Sequence, residues 1–376
     1  MRILILSWNF PPALGGIEVV VNHLFNGLRH RGHEVRLLAP FAAAATSPDV
    51  ERAAKEGIPS FLRFCLSRGA ALCREFKPDV IVCGSIVSAP AAWWLSRRHK
   101  IPYVVLMHGS DILYGGRVYQ TAVRFLTRRA DGWRPTAGTR DLLVAAGCAP
   151  ERIGIVHPGV DVPAFDRPVD GAPELPGVSL AGRRVLVTVG RLIRRKGVLE
   201  FITHVLPELV NSSEVLYLVV GEDAKLSLAH KEQLRDQIEA RIWGLGLENH
   251  ARLLGKLSGD DLRRVLAASE CFVLPCLDIP ATWRGSGSSS WKPPCAAHRR
   301  CRRGWGDSGR GGGGHHRPAF APGDSAALLA NLRRMLDEPG LRDRLAAAAA
   351  TRARDEFSWD AVTRRYEQLF AKAVAS

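Results

Sequence analysis

Two hydrophobic rhythms alternate along the first half of the chain. Short apolar runs, RILILS (2–7), HEVRLLAP (33–40), PDVIVCG (78–84), PYVVLMHG (102–109) and RIGIVHPG (152–159), have the density of strands buried on both faces. Between them, GIEVVVNHLFNGLRHRG (16–32), SFLRFCLSRGAALCREF (60–76) and segments at about 88–99 and 118–130 repeat apolar residues every three or four positions, as one side of a helix does. Gly32 stands where the first helix should stop. Strands alternating with helices of this length predict βαβ units and a parallel sheet.

The rhythm pauses at about 162–182, rich in Pro, Gly and Asp, and then restarts. RRVLVTVG (183–190), EVLYLVVG (214–221), HARLLG (250–255) and ECFVLPC (270–276) read as strands. GVLEFITHVLPELV (197–210), SLAHKEQLRDQIEARIWGLG (227–246) and SGDDLRRVLAASE (258–270) read as helices, the last opened by a capping box of Ser258 and Asp261. The organisation expected is two α/β domains, residues 1–165 and 183–356, facing a cleft. Ligands of such sheets bind outside the carboxyl ends of the strands.

The pattern fails over ATWRGSGSSSWKPPCAAHRRCRRGWGDSGRGGGGHHRP (281–318), which has nine glycines and no Leu, Ile, Val, Met, Phe or Tyr. Such a stretch cannot cover a sheet, so it is expected to be disordered or irregular, with an exposed apolar patch beside it. It also changes the meaning of the charge. A net +15 normally suggests nucleic acid or an anionic membrane, but eight Lys and Arg against Asp307 alone place +7 of it here. No apolar run reaches the roughly 18 residues of a membrane span, and the N-terminal run is too short for a signal peptide, so a cytoplasmic protein is expected. The eight cysteines form no CxxC pair and read as free thiols.

Three constellations carry chemistry. In PPALGGIE, Gly15 and Gly16 open the first helix, where backbone can approach an anion or a sugar hydroxyl closely. A tight strand-to-helix turn explains the pair equally well. VLMHGSD puts His108 and Asp111 at the carboxyl end of a buried strand, with a structural histidine as the alternative. VTVGRLIRRKG places Arg191 directly after a strand ending at Gly190, and Lys196 just before the next helix. A planar fork and a point charge beside a helix start can clamp a diphosphate; a solvated basic loop is the plainer reading.

Taken with VHPGVDVPAF (156–165), LVVGED (218–223), LLGKLSGDDL (253–262), AASECFVLP (267–275) and the terminal FSWDAVTRRYEQLF (357–370), these motifs resemble the family 4 glycosyltransferases. The resemblance implies two Rossmann-like lobes of the GT-B type, and a last helix, 357–376, crossing back to the first domain. It implies retaining transfer from a nucleotide sugar, GDP- or UDP-linked, without a metal or other cofactor. It places Gly15 and Asp111 on the acceptor side and His108 at the reacting sugar as the catalytic candidate. Gly16, Gly190, Arg191, Lys196 and Gly221 fall to the donor.

After VLP (273–275) the family carries two glutamates in an E-x7-E loop, and this sequence has none. WRGSGSSSWKPP (Trp283–Pro294) back-translates, however, to codons whose shifted frame reads E-G-F-G-I-V-F-L-E-A-A. DSGR permits I-P-E and HRPAF permits T-G-L-L, in offsets that require more than one small indel. WRPTA (Trp133–Ala137) permits V-A-A-N-S in the same manner. The segment therefore reads as an out-of-frame translation, and transfer by the chain as written is expected to be impaired. The rivals are an RNA-binding Gly/Arg linker and a zinc site from Cys295, His298, Cys301, His315 and His316, whose spacing fits no standard pattern. A catalytically dead remnant or a sugar-binding protein is the competing class.

The partners expected are a nucleotide-sugar donor and a polysaccharide or lipid-linked acceptor, with a lean toward the cell envelope and GDP-mannose, and no nucleic acid. Arg63, Arg68, Arg74, Arg97, Arg98 and Lys100 on the first domain's helices read first as a solvated face, and second as a peripheral contact with an anionic membrane at its inner face.

Overall fold

The computed structural model describes the chain except for residues 14, 44–46, 109–116, 128–129, 131, 136–142, 145–146, 164–170, 172, 174, 176, 224–233, 278–304, 307–322 and 376. For 117–120, 127, 132–135, 305–306 and 339 the backbone alone is described. The chain forms two compact units. The first holds Met1–Gly159 and Phe357–Ser376, and the second holds the described residues between Val160 and Glu356.

In the first unit the apolar runs become a six-stranded parallel sheet. Its strands are β1 (Arg2–Leu6), β2 (Glu34–Ala39), β3 (Val50–Arg52), β4 (Val80–Cys83), β5 (Tyr103–Met107) and β6 (Gly132–Pro135), in the order β3-β2-β1-β4-β5-β6. Side chains of β1, β4 and β5 are almost wholly buried because helices cover both faces. On one face, α2 (Ile58–Glu75), α3 (Ala89–His99) and α4 (Arg117–Thr127) pack Phe61, Cys65, Leu95 and Val123 against Leu4, Ile81 and Val105. On the other, α1 (Gly16–His30) and the last helix of the chain, Trp359–Ala375, pack Val21, Leu24, Tyr366 and Phe370 against Ile3, Ile5 and Val82. Each such aromatic or aliphatic side chain stabilises the docking by about 1.5–3 kcal/mol.

The second unit carries β7 (Arg184–Val189), β8 (Val215–Val220), β9 (Ala251–Gly255), β10 (Cys271–Val273) and β11 (Trp305–Gly306), parallel in the order β11-β10-β7-β8-β9. Helices α5 (Val198–His204), α6 (Leu206–Val210), α7 (Arg235–Gly244), α9 (Ser325–Asp337) and α10 (Pro339–Phe357) complete the unit with α8 (Gly259–Ala268). The chain ends in α11, the helix Trp359–Ala375. Ser258 caps α8 by accepting the Asp261 N–H at 3.2 Å, as its spacing predicts, and its hydroxyl in turn donates to the Asp261 carboxylate at 2.6 Å.

Several expectations need correction. Residues 154–159 form no strand: Pro158 has no N–H to give a ladder, and a 3-10 turn at Pro150–Arg152 precedes them. The sixth strand is instead Gly132–Pro135, and its proline is tolerated because β6 is an edge. The helix expected over 197–210 breaks into α5 and α6 at Val205, where Pro207 starts the second piece. The short strand β3 went unread, since three residues carry no periodicity. Beside the anomalous stretch, Phe272 and Leu274 are 5% and 1% exposed, so no bare apolar patch appears among the described residues of β10 and its exit. Most of 281–318 lies outside the described residues, but Trp305–Gly306 add an edge strand parallel to β10, where irregular backbone was expected.

The six described cysteines form no disulfide, and five of them are buried; burial pushes the Cys73 thiol up to about 11 and the Cys148 thiol to about 12, which leaves both unreactive near neutrality. Among the described residues no helix is long and apolar enough to cross a membrane.

Candidate active site

Each sheet reverses its strand order once, and a crevice opens at that point above the carboxyl ends of the strands. In the first unit the reversal lies between β1 and β4, so the loops leaving these strands diverge to opposite faces. Both loops carry sequence-predicted residues or their supports. After β1 the chain turns through Ser7, whose buried hydroxyl donates to the Asn9 carbonyl at 2.7 Å. The Asn9 side-chain amide donates to Glu18 Oε1 at 2.8 Å, tying the loop to the first turn of α1. Gly15 is extended and precedes Gly16, the first residue of α1, and a side chain at Gly15 would overlap the Glu18 carboxylate. Among the described residues no side chain caps this helix start.

Across the reversal, a Cβ at Gly84 would overlap the Ser7 side chain, so glycine is what lets the β1 and β4 exits meet. The Gly84 N–H donates to Leu6 O at 2.8 Å. His108, immediately after β5, donates its Nε2–H to the Gly84 carbonyl at 2.9 Å. A carbonyl only accepts, so this bond fixes which ring nitrogen carries the proton. Gly15, Gly16 and His108 are thereby joined to one group of loops through Ser7, Asn9, Glu18 and Gly84. Asp111 lies outside the described residues. Ser85, which follows Gly84, is 1% exposed, and its hydroxyl makes no hydrogen bond within the described structure.

In the second unit the reversal lies between β7 and β10. Gly190 follows β7 and donates to Val220 O at 2.9 Å, while Gly221 donates to Gly255 O at 2.8 Å. Gly221 has φ +146°, and any Cβ there would overlap the Gly190 carbonyl oxygen. Glycine is required twice over at this position, by backbone angle and by space. Leu192 extends the ladder to Glu222 at 2.9 Å, and a 3-10 turn over Arg194–Lys196 then brings the chain to α5. Gly197 closes that turn at φ +68°, and a side chain there would overlap the Pro275 carbonyl, just beyond β10. Leu277 N–H donates to Arg195 O at 2.9 Å, so the two loops that flank the reversal are fastened to each other.

The cations follow from this frame. Lys196 is 1% exposed, and its Cε lies 3.7 Å from where a Gly190 Cβ would stand. Arg191 is exposed. Arg195, which the sequence reading passed over as part of a basic run, is buried and held below its usual range, chiefly by burial, with the Cys276 thiol opposing and the Arg191 charge adding to the effect. Gly190, Arg191, Lys196 and Gly221 are thus brought together, with Arg195 as an unforeseen third cation. The arrangement concentrates positive charge at the carboxyl end of β7, where a diphosphate would be met by a fork and a buried ammonium. Among the described residues no three His, Cys, Asp or Glu side chains gather as a metal site.

Residues 15–159 match the model of the glycosyl transferase 4-like domain, and residues 183–289 match that of the glycosyl transferases group 1. The chain belongs to the family 4 glycosyltransferases. This glycosyltransferase is 28% identical over 382 residues to the lipopolysaccharide core biosynthesis glycosyltransferase LpsD of Rhizobium meliloti, with 96% of each chain covered. It is 23% identical over 408 residues to the glycogen synthase of Mycobacterium tuberculosis, covering 99% of this chain and 95% of that one. Its fold matches Anabaena HepE, solved in complex with UDP, at a TM-score of 0.72 and 18% identity, over 99% of this chain and 100% of the other. The two Rossmann-like units are those of the GT-B fold.

Proposed function

We propose that this glycosyltransferase moves a hexosyl group from a UDP- or GDP-linked donor to a lipid-linked or polysaccharide acceptor, with retention and without a metal. The observation that carries the reading is the cluster of Arg191, Arg195 and Lys196 at the second reversal point, built around the glycine pair Gly190 and Gly221. Breaking the glycosidic bond leaves a diphosphate with growing negative charge, and preorganised cations stabilise that charge most where it develops. HepE with its bound UDP supports a nucleotide donor, and LpsD, named for lipopolysaccharide core biosynthesis, supports a cell-envelope acceptor. On the first unit, His108 meets the transferred sugar, Gly16 meets the donor, and Gly15 and Asp111 border the acceptor. The Nε2–H bond to Gly84 holds the ring of His108 for that role.

The chain as written lacks the two glutamates that the family carries after β10. The clamp turn is fastened to Pro275 and Leu277, a few residues before the anomalous stretch begins at 281. Whatever follows β10 therefore departs from beside the cations, where the glutamates would orient sugar and ribose. With the shifted frame in their place, the donor diphosphate is still held but the sugar is not aimed, so transfer is impaired. This favours, for the chain as written, the second reading of a nucleotide-binding remnant. The nucleotide sequence of codons 280–320 tests the frame: GAG and GAA in the shifted frame at the expected spacing support it, and codons incompatible with that reading remove it. Product anomer analysis by NMR on a frame-restored variant tests retention, and unchanged rates in EDTA test metal independence.

A further inference from the structure

The helices on one face of the first sheet carry a surface to which the proposed transfer assigns no role. Helix α3 lies between α2 and α4 on one face of the sheet, sharing their apolar core. On its outer side Trp94, Arg97 and Arg98 follow at i, i+3 and i+4 and are all exposed, with Lys100 just past the end. Next to it, Phe125 of α4 is 41% exposed and meets Trp93 edge-on at 5.4 Å, with Arg124 exposed beside it. Trp94 is 44% exposed. Neither α3 nor α4 contains an acidic residue, and Arg97, Arg98, Lys100 and Arg124 form no ion pair among the described residues.

A second observation ties α2 to the same patch. The His99 imidazole is held below its usual range by burial and then by the charges of Arg98 and Arg74, so cations from the ends of two helices converge on one point. Arg68, by contrast, is spent elsewhere: it holds Glu51 through two bonds of 2.6 and 2.9 Å and Glu75 at 3.1 Å. Its charge is thereby neutralised locally, and Arg68 adds little to the exposed basic face.

Cations at a helix end are favoured by the dipole whatever they face, so charge alone would indicate only solvent. Two large aromatic side chains left half-exposed among unpaired cations are a different pattern, that of a surface that meets headgroups with its charges and the acyl boundary with its rings. We propose that the outer surface of α3 and α4, with the adjoining end of α2, seats the protein on an anionic lipid bilayer. The inference draws on the lipid-linked acceptor reading only for its purpose, and vesicle binding can succeed or fail whether or not transfer occurs.

The test is sedimentation of the full chain with vesicles of phosphatidylcholine alone or mixed equally with phosphatidylglycerol. Binding should be confined to the anionic vesicles and weaken with salt. Because residues 281–318 are themselves basic, the variant Arg97→Glu/Arg98→Glu/Lys100→Glu decides the surface. At about five-fold per cation, it should lose about a hundred-fold in partitioning. Trp94→Ala/Phe125→Ala should lose several-fold while keeping the salt dependence, with circular dichroism unchanged in both variants. Equal binding to neutral vesicles, or undiminished binding by the charge-reversed variant, overturns the proposal. So does Trp94-dependent self-association without lipid uptake, which would assign the face to a second copy of the chain.

Discussion

Gly221→Ala is the sharpest probe of how the donor site is built. Holding an alanine at φ +146° costs roughly 1–3 kcal/mol in backbone strain alone. The new methyl would also overlap the Gly190 carbonyl, so the two loops must separate. Separation loosens the Gly190–Val220 and Gly221–Gly255 hydrogen bonds, of 2.9 and 2.8 Å, which contribute about 1 kcal/mol each. The sum is about 3–5 kcal/mol, equivalent to a fall of about 10 °C in the melting temperature of a unit this size. Gly255→Ala supplies the control: φ is +67° but the space is open, so only the strain of about 1 kcal/mol is expected. Scanning calorimetry on both variants, with UDP and GDP titrations, separates the outcomes. Gly221→Ala should melt lower and bind nucleotide more weakly, because displacing Gly190 moves Arg191 and Lys196. Equal melting temperatures for the two variants, or intact nucleotide affinity in Gly221→Ala, would refute the reasoning.

Two further substitutions address the groups themselves. Arg191→Ala and Lys196→Met should each weaken nucleoside diphosphate binding by roughly ten- to a hundred-fold, the range of one charge-assisted hydrogen bond; calorimetric titration showing no change in either would remove the clamp. His108→Ala should reduce transfer by a frame-restored variant while leaving nucleoside diphosphate binding nearly intact. Equal losses in both, with a lower melting temperature, would make the bond to Gly84 structural only.

The sheets were legible because buried parallel strands write themselves as dense apolar runs, and RILIL, VIVC, YVVLM, RVLVTV and VLYLVV all form where expected. What failed was the backbone's own chemistry. Pro158 and Pro207 interrupted a strand and a helix whose side-chain patterns looked continuous, and Gly132–Pro135 joined the sheet despite an unpromising composition. At the site, Arg191 and Lys196 were visible from their place after a strand. Arg195 was hidden because burial, not charge, distinguishes it from Arg194, and burial depends on the return of β10 and its exit loop from some eighty residues later. Gly84, Ser7 and Glu18 were missed for the same reason: their roles are contacts between loops that only the strand order brings together.

If the diphosphate clamp survives in the present chain and the sugar-orienting loop does not, donor binding and donor transfer part company. Radiolabelled UDP- and GDP-hexoses, offered with lipid and polysaccharide acceptors to the chain as written and to its frame-restored variant, test it in one experiment. Label should enter the acceptor with the restored variant, and transfer by the chain as written should stay near background, although both bind the nucleoside diphosphate. Robust turnover by the chain as written, or no transfer by the restored variant from any donor, would contradict it.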